Sequence, residues 1–383
     1  MKRIAIFCDG TWNKLSSPHP TNVVKLAEAV SATDAAGNAQ VVYYDEGVGA
    51  GTPVLRHVDQ FMGGAFGIGL MRNVEEAYRF LTFNYCPGDE VYIFGFSRGA
   101  YTARTLAGLI RNCSIIDRGQ ARTVHKAIDL YRSRSPDGHP DAPKSCEFRA
   151  EFAPDIYVSE RDLEWRRTHI TGFDATSIKP LHLAYIGVWD TVGALGIPKH
   201  IIFQDLLNQS QRFHDAKLSS MTKSARHALA LDEARQVFAA SPWDEEKLEL
   251  LNAGKTGTDA PFRQEWFPGD HGSVGGGGDI VGLSDGALLW IAEGAERAGL
   301  KLEPDRLSAF KPDHRSPLKN TTDEGFGVLT LASKKPRPGP QLLSHVSQSA
   351  IARWDEDASA LPEEKLYRPA SLGRVKSALE ARR

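Results

Sequence analysis

The stretch EVYIFGFSRGAYTARTLAGLIRN, residues 90–112, decides how this chain is read. An apolar run from Val91 to Phe94 ends at Gly95-Phe96-Ser97-Arg98-Gly99, and helix formers such as Ala100, Ala103 and Ala107 follow. The pattern is G-x-S-x-G set between a buried strand and a helix. A serine at a tight strand-to-helix turn takes a strained backbone that lifts its hydroxyl above the sheet edge. Side chains two residues to either side would strike the helix or the next strand, so both positions become glycine. The helix N-terminus turns its N–H groups and the positive end of its dipole toward the serine. The amide of Arg98 is therefore a candidate oxyanion-hole donor, and Gly95 and Gly99 are the structural elbow. A glycine-bounded turn whose serine only caps the helix is the plainer alternative.

Around this stretch, short apolar runs alternate with helical patterns. Residues 3–8 read as a buried strand. Thr21 caps a helix with apolar positions at Val23, Leu26, Ala27 and Val30. A second strand is expected over 41–44, a glycine-rich loop over 47–69, and a second helix from Val74, Ala77, Tyr78 and Leu81. Residues 90–94 make a third strand and 100–112 a third helix. This alternation predicts an α/β fold, a mostly parallel sheet with helices on both faces. The pattern loosens over about 115–180. Residues 182–188 read as another buried strand, 200–250 as helical and polar, and 265–267 as a short strand. Leu288, Ile291, Ala292 and Ala295 mark a late helix. The expected organisation is a catalytic domain over 1–305 with irregular insertions at about 115–180 and 200–260 acting as lid or substrate wall. An irregular C-terminal extension over 306–383 would pack on it or trail from it.

Composition narrows the function classes. The chain has 383 residues, 41% hydrophobic and 25% charged, an ordinary globular balance. A formal net charge of −2 gives no electrostatic reason to expect nucleic acid. Cys8, Cys86, Cys113 and Cys146 form no C-x-x-C pair and no metal-ligand spacing with histidine, which predicts reduced thiols. The apolar run 4–8 stops at Asp9 and is too short for a signal peptide. No apolar stretch nears the ~20 residues that span a bilayer. A soluble, cytoplasmic protein is expected, and export by a route without a cleaved signal stays open. Asp279 and Asp285 lack the dense oxygen spacing of a calcium loop, so no metal and no cofactor are expected.

A serine hydroxyl needs a base, and the base needs a third group to hold it. In doubly wound hydrolases the chain order is Ser, then Asp or Glu, then His. Asp190 ends the apolar run Tyr185-Ile186-Gly187-Val188-Trp189 at the sheet's carboxyl edge, although an Asp there also commonly caps a turn. Of the 12 histidines, His271 follows a short strand and enters a glycine-rich loop. His227 has helical surroundings in the sequence, which suggest a packed or hydrogen-bonded core histidine or a loop support. The order rule favours His271. Asp9-Gly10-Thr11 follows the first strand and lacks the D-x-D pair of aspartyl-phosphate chemistry. The backbone of Gly10 or Thr11 is a candidate second oxyanion donor, with a turn closed by the Asp9 side chain as the alternative.

Several blocks together carry a more specific signal: FCDGTWN (7–13), GFSRGAYTAR (95–104), GVWDTVGALGIP (187–198), RHALALDE (226–233) and WFPGDHGSVGGGG (266–278). In this order they resemble the α/β-hydrolase family that includes the phospholipase effectors of bacterial type VI secretion. The resemblance implies an α/β-hydrolase-like fold and a triad on Ser97, Asp190 and His271. It implies acyl esters, lipid or phospholipid, as substrates, transient contact with a membrane surface, and a secretion-system or immunity partner. A small-metabolite esterase or thioesterase, or a catalytically silent binding protein on the same fold, are the alternatives. The family pattern here is His-Ser-Asp-Val-Gly-Gly-Gly-Tyr; Gly272 stands where that pattern has Ser, Ser273 where it has Asp, and Gly278 where it has Tyr.

Overall fold

The computed structural model describes residues 1–10, 15–47, 64–133, 138–192, 218, 221–322 and 334–382. Its strands are β1 (Arg3–Cys8), β2 (Gln40–Asp45), β3 (Glu90–Phe96), β4 (Ile156–Tyr157), β5 (Lys179–Pro180), β6 (Leu183–Trp189), β7 (Ala225–Ala230) and β8 (Phe262–Phe267). Six of them form one sheet in the order β2-β1-β3-β6-β7-β8, and every neighbouring pair is parallel. The chain builds outward from β1 to β2, then crosses back to β3 on the other side of β1. Ligands gather at such a reversal, at the carboxyl ends of the strands. The ends of β1 and β3 lie side by side there, with Cys8 in register with Gly95.

Alternation along the strands sends side chains to two apolar layers. Ile4, Ile6, Val91 and Ile93 face α2 (Gly64–Asn84) and α3 (Arg98–Cys113), where Val74, Leu81, Leu106 and Leu109 are buried. Ala5, Phe7, Tyr92 and Phe94 face α1 (Asn22–Ala29) and a later helix, Gly282–Arg297, through Val23, Leu26, Leu288 and Ile291. Thr21 caps α1 by accepting from the Val24 N–H at 3.3 Å. The residues over 115–180 add α4 (Val124–Arg132) and α5 (Pro143–Phe152) to the first layer; α6 (Glu160–His169) is tied to α5 by the buried Arg149–Asp162 ion pair, and β4 and β5 form a separate small parallel pair.

Two expectations need correction. The glycine-rich segment is helical from Gly64 onward, because its last turns bury Leu70, Met71 and Val74 against the sheet, and that burial outweighs glycine's poor helix propensity. Residues 225–230, read as helical, are the strand β7. All six of its residues are buried, so a central strand of a parallel sheet shows no polar–apolar alternation to distinguish it from a helix. Beyond it come α7 (Glu245–Asn252), α8 (His271–Gly275), α9 (Gly282–Arg297), α10 (Pro304–Ala309), α11 (Gln348–Asp355) and α12 (Lys376–Glu380).

The C-terminal part closes the far side of the sheet. Val346, Ala350, Trp354, Leu361, Leu372 and Leu379 bury against Leu229, Leu231 and Trp266. The outer strand β8 is met there by a parallel bridge between Trp266 and Val346. Covering an edge in this way removes a template for unwanted strand pairing.

Candidate active site

The elbow follows from close approach. A Cβ on Gly95 would sit 2.5 Å from the Gly99 carbonyl oxygen, and one on Gly99 would sit 2.1 Å from the Cys8 oxygen and 2.4 Å from the Asp9 oxygen. Only two bare backbones let α3 leave β3 this sharply while grazing the end of β1. Ser97 between them has φ 59°, a strained conformation for a residue with a side chain. Its N–H is tied to the Trp189 carbonyl at 3.0 Å, which fixes the elbow to β6. Arg98 opens α3, so its N–H is one of the first-turn amides that the helix directs toward the serine.

Three side chains distant in sequence meet at this rim. His271 Nε2 lies 2.7 Å from Ser97 Oγ, and His271 Nδ1 lies 2.6 Å from Asp190 Oδ2. Asp190 follows β6 directly and is fully buried, while Ser97 and His271 are each 5% exposed. The short bond at Nδ1 fixes the tautomer: Nδ1–H donates to Asp190, leaving Nε2 to accept from the serine. The imidazole is flanked by Phe96 and Phe238, with ring centroids at 4.7 and 4.6 Å.

His271 follows β8, so its loop must reach back across the ends of β7 and β6 to meet Ser97 at the end of β3. The end of β7 holds it. Asp232 accepts the Gly269 N–H at 2.7 Å and the Tyr367 hydroxyl at 2.7 Å, and Glu233 accepts the His271 N–H at 3.3 Å. Two of the departures from the family pattern find a place here. Asp270 caps the short α8 by accepting the Ser273 N–H, and the Ser273 hydroxyl lies 3.0 Å from that carboxylate and 2.9 Å from the Leu318 carbonyl. A Cβ on Gly278 would fall 2.0 Å from the Asn320 side chain, so Asn320 fills the space that a larger residue at 278 would need.

The turn after the first strand is closed by a side chain. The Gly10 N–H donates to Asp9 Oδ1 at 2.7 Å, and Asp9 Oδ2 accepts from Thr21 at 2.6 Å and Tyr44 at 3.0 Å. Asp9 thus closes its own turn and ties it to α1 and β2, and Gly10 does not offer its N–H to the serine in this arrangement. Thr11 lies outside the described residues, as do 193–198 of the block that follows Asp190. Arg104 donates to the Ser241 carbonyl at 2.6 Å and lies over the Trp243 ring. Among the described residues no cluster of His, Cys, Asp or Glu could hold a metal ion, and no helix is long and apolar enough to cross a membrane. Asp285 pairs with Lys25, and Asp279 accepts from Thr321 and Thr322.

His227 is not on a helix but inside β7, fully buried. Its Nδ1 lies 3.1 Å from Gln264 Oε1, and its Nε2 accepts the Thr191 N–H at 3.2 Å, so it props the backbone just beyond Asp190. Burial, aided by the Arg104 charge and opposed by Asp190, pushes its pKa down to about 3 from 6.5. The unfolded chain therefore takes up this proton first, and folded stability falls as pH drops from about 6.5 toward 3. Asp232 acts in the opposite sense: burial raises its carboxyl to about 6 from 3.8, so the folded state binds that proton first. Comparing variants isolates the histidine. In urea denaturation at pH 7, 6, 5 and 4, wild type should lose stability relative to His227→Gln by up to about 1.4 kcal/mol per pH unit below 6.5. Parallel pH curves would refute this.

One site residue had no counterpart in the sequence reading. Arg337 is 6% exposed and grips Asp190 with both ends of its guanidinium: Nη1 to Oδ1 at 2.5 Å and Nη2 to Oδ2 at 2.9 Å. The same nitrogens donate to the carbonyls of Ala230 at 3.0 Å and Phe238 at 2.6 Å. Asp190 Oδ1 also accepts the Ala230 N–H at 2.9 Å. Burial alone would push the Asp190 carboxyl up. The Arg337 charge and the hydrogen bonds from His271 and Arg337 outweigh it and hold that carboxyl well below the usual carboxylate range.

Comparison with known proteins places the chain. A family model described as "T6SS, Phospholipase effector Tle1-like, catalytic domain" matches residues 2–294. "Uncharacterized protein YEL023C" of Saccharomyces cerevisiae is 28% identical over 247 residues, 62% of this chain and 32% of the yeast protein. Among solved structures, an uncharacterized protein from Pseudomonas aeruginosa is 17% identical with a TM-score of 0.45, over 98% of this chain and 56% of that one. The Tle1 effector bound to the VgrG spike of the type VI secretion system is also 17% identical, with a TM-score of 0.33, over 74% of this chain and 52% of that one. The chain thus spans about a third of the yeast relative and about half of each solved chain. With the family model covering residues 2–294, the chain belongs to the type VI secretion phospholipase effector family, Tle1-like, through its catalytic domain.

Proposed function

We propose that the protein is a serine hydrolase that cleaves carboxylic acyl esters of lipids, with phospholipids as the favoured class. The observation that carries this is the unbroken hydrogen-bond chain from Ser97 through His271 to Asp190. Family membership supports the choice of lipid esters and carriage by a type VI secretion apparatus.

In this reading Ser97 Oγ attacks the ester carbonyl carbon while His271 Nε2 takes the hydroxyl proton. Asp190 stays ionised, holds the tautomer and stabilises the imidazolium. The carbonyl oxygen becomes an oxyanion near the N-terminus of α3, where the Arg98 N–H is the nearest candidate donor. A second donor falls to the turn after β1, where Gly10 would have to release Asp9 or Thr11 would serve. Collapse of the tetrahedral intermediate expels the alcohol, which takes the proton from His271. Water then repeats the sequence on the acyl-enzyme and frees the fatty acid.

A fluorophosphonate probe tests the nucleophile directly. The folded full chain should be labelled once, at Ser97, and an unlabelled folded protein would leave only the silent binding reading. Fatty-acid release from phosphatidylethanolamine–phosphatidylglycerol vesicles, set against p-nitrophenyl butyrate hydrolysis, tests the substrate class. Turnover confined to the soluble ester would replace the lipid assignment with a small-metabolite esterase.

A further inference from the structure

The C-terminal segment does more than cover the sheet. We propose that Arg337 is a positioning residue of the triad, which fixes the orientation and tempers the charge of the carboxylate that holds the catalytic imidazole. The inference rests on the hydrolase reading above and extends it to a residue beyond the family-matched region, residues 2–294.

The delivery of Arg337 is built to be stiff. Lys335 N–H bonds to the Ala234 carbonyl at 2.7 Å, and Lys334 pairs antiparallel with Arg235, so the segment runs alongside the chain leaving β7. Arg337 sits between Pro336 and Pro338. Proline fixes its own φ and confines the residue before it to extended backbone, so little freedom remains to be lost when the guanidinium is buried. Gly339 follows with φ 69°, and a Cβ there would fall 1.7 Å from the Ser371 carbonyl oxygen, so the segment is pressed against the rest of the C-terminal part. A buried guanidinium so restrained, with a planar fork matched to a carboxylate, dictates the carboxylate's plane. That plane determines whether Oδ2 meets the Nδ1–H of His271.

The same contact has an electrostatic effect. An ion pair at Asp190 neutralises part of the charge that would otherwise stabilise the imidazolium. Without Arg337 the full carboxylate charge would face the imidazole, so the acid limb of the pH–rate profile should then lie at higher pH than in the wild type. Other charged groups near the triad are Glu233 at the His271 amide, Arg235 paired with Glu233, and Asp270 beside His271 in the chain. Buried Asp9 lies at the turn of β1, Arg98 opens α3, and Arg104 and neutral His227 lie behind Thr191. Arg337 is the cation that ion-pairs with the Asp190 carboxylate.

Two substitutions separate geometry from charge, with turnover counted per fluorophosphonate-labelled serine to remove any loss of folded protein. Arg337→Lys keeps the charge and loses the fork. It should hold the acid limb of the kcat/KM profile at the wild-type position while kcat per labelled serine falls about tenfold. Arg337→Gln loses both, and its acid limb should also move up by about one pH unit. A role confined to packing would lower the folded fraction and melting temperature but leave both readouts unmoved. Wild-type turnover per labelled serine in Arg337→Lys would overturn the proposal, as would an unmoved limb in Arg337→Gln. If the glutamine variant does not fold, the lysine variant decides alone. A wild-type chain that neither labels nor turns over would sink the hydrolase reading itself, an outcome distinct from an active wild type with an equally active lysine variant.

Discussion

Ser97→Ala should reduce ester turnover by roughly 10⁵–10⁶-fold, because the members of a triad act as one unit and the nucleophile has no substitute. What remains would come from substrate binding and from amide donors that the substitution leaves in place. The fold should survive. Alanine keeps the Cβ and therefore keeps the strain of φ 59° at this position. The lost contact is the 2.7 Å bond to His271, whose ring stays held by Asp190 on its other nitrogen. Ser97→Gly provides an internal check. It should be as inactive as the alanine variant and more stable by about 1 kcal/mol, since glycine adopts this backbone without steric cost. Stability of the two variants comes from denaturant midpoints and activity from p-nitrophenyl butyrate hydrolysis. Turnover within tenfold of wild type in either variant would remove Ser97 from the chemistry.

Gly99→Ala carries the largest expected effect on stability. Its methyl group would lie 2.1 and 2.4 Å from two backbone carbonyl oxygens at the end of β1, neither of which can swing aside like a side chain. The helix α3 must retreat from the sheet, opening the contact between Ala100, Ala103 and Leu106 and the strands beneath them. A loss of more than about 4 kcal/mol is expected, or no soluble folded protein. Gly373→Ala is the matched control, for nothing lies within 4 Å of a Cβ there. That variant should change stability by less than about 1 kcal/mol. Similar denaturation midpoints for the two would mean that the elbow does not touch β1 as described.

The different readability of these parts has physical causes. The elbow is local: two glycines, a preceding apolar run and a following helix lie within a dozen or so residues, so its geometry is written in one window of sequence. The meeting of Asp190 and His271 is not local, and chain order stood in for distance. β7 was read as helix because ARHALA is buried on both faces and carries no period. Gly10 illustrates a further limit. Sequence places it on the correct turn, but its N–H direction depends on the adjacent carboxylate, which offers a closer acceptor. Arg337 lay beyond reach altogether. It stands 147 residues from Asp190, in a segment whose prolines suggested irregular chain. Those prolines have a use that only the folded partner reveals.

The all-parallel sheet has a consequence for the birth of the protein. No tight hairpin can join neighbouring strands of this kind, so each strand waits for a long crossover before it can dock, and folding that depends on distant pairings is slow. A ribosome that has released the elbow has not yet made the strand whose carbonyl pins it, nor the imidazole, nor the arginine that steadies the carboxylate. On the reading proposed above, a nascent copy still lacking His271 cannot cut the lipids of the cell that translates it, and full cutting ability waits until the segment that carries Arg337 has docked on Asp190.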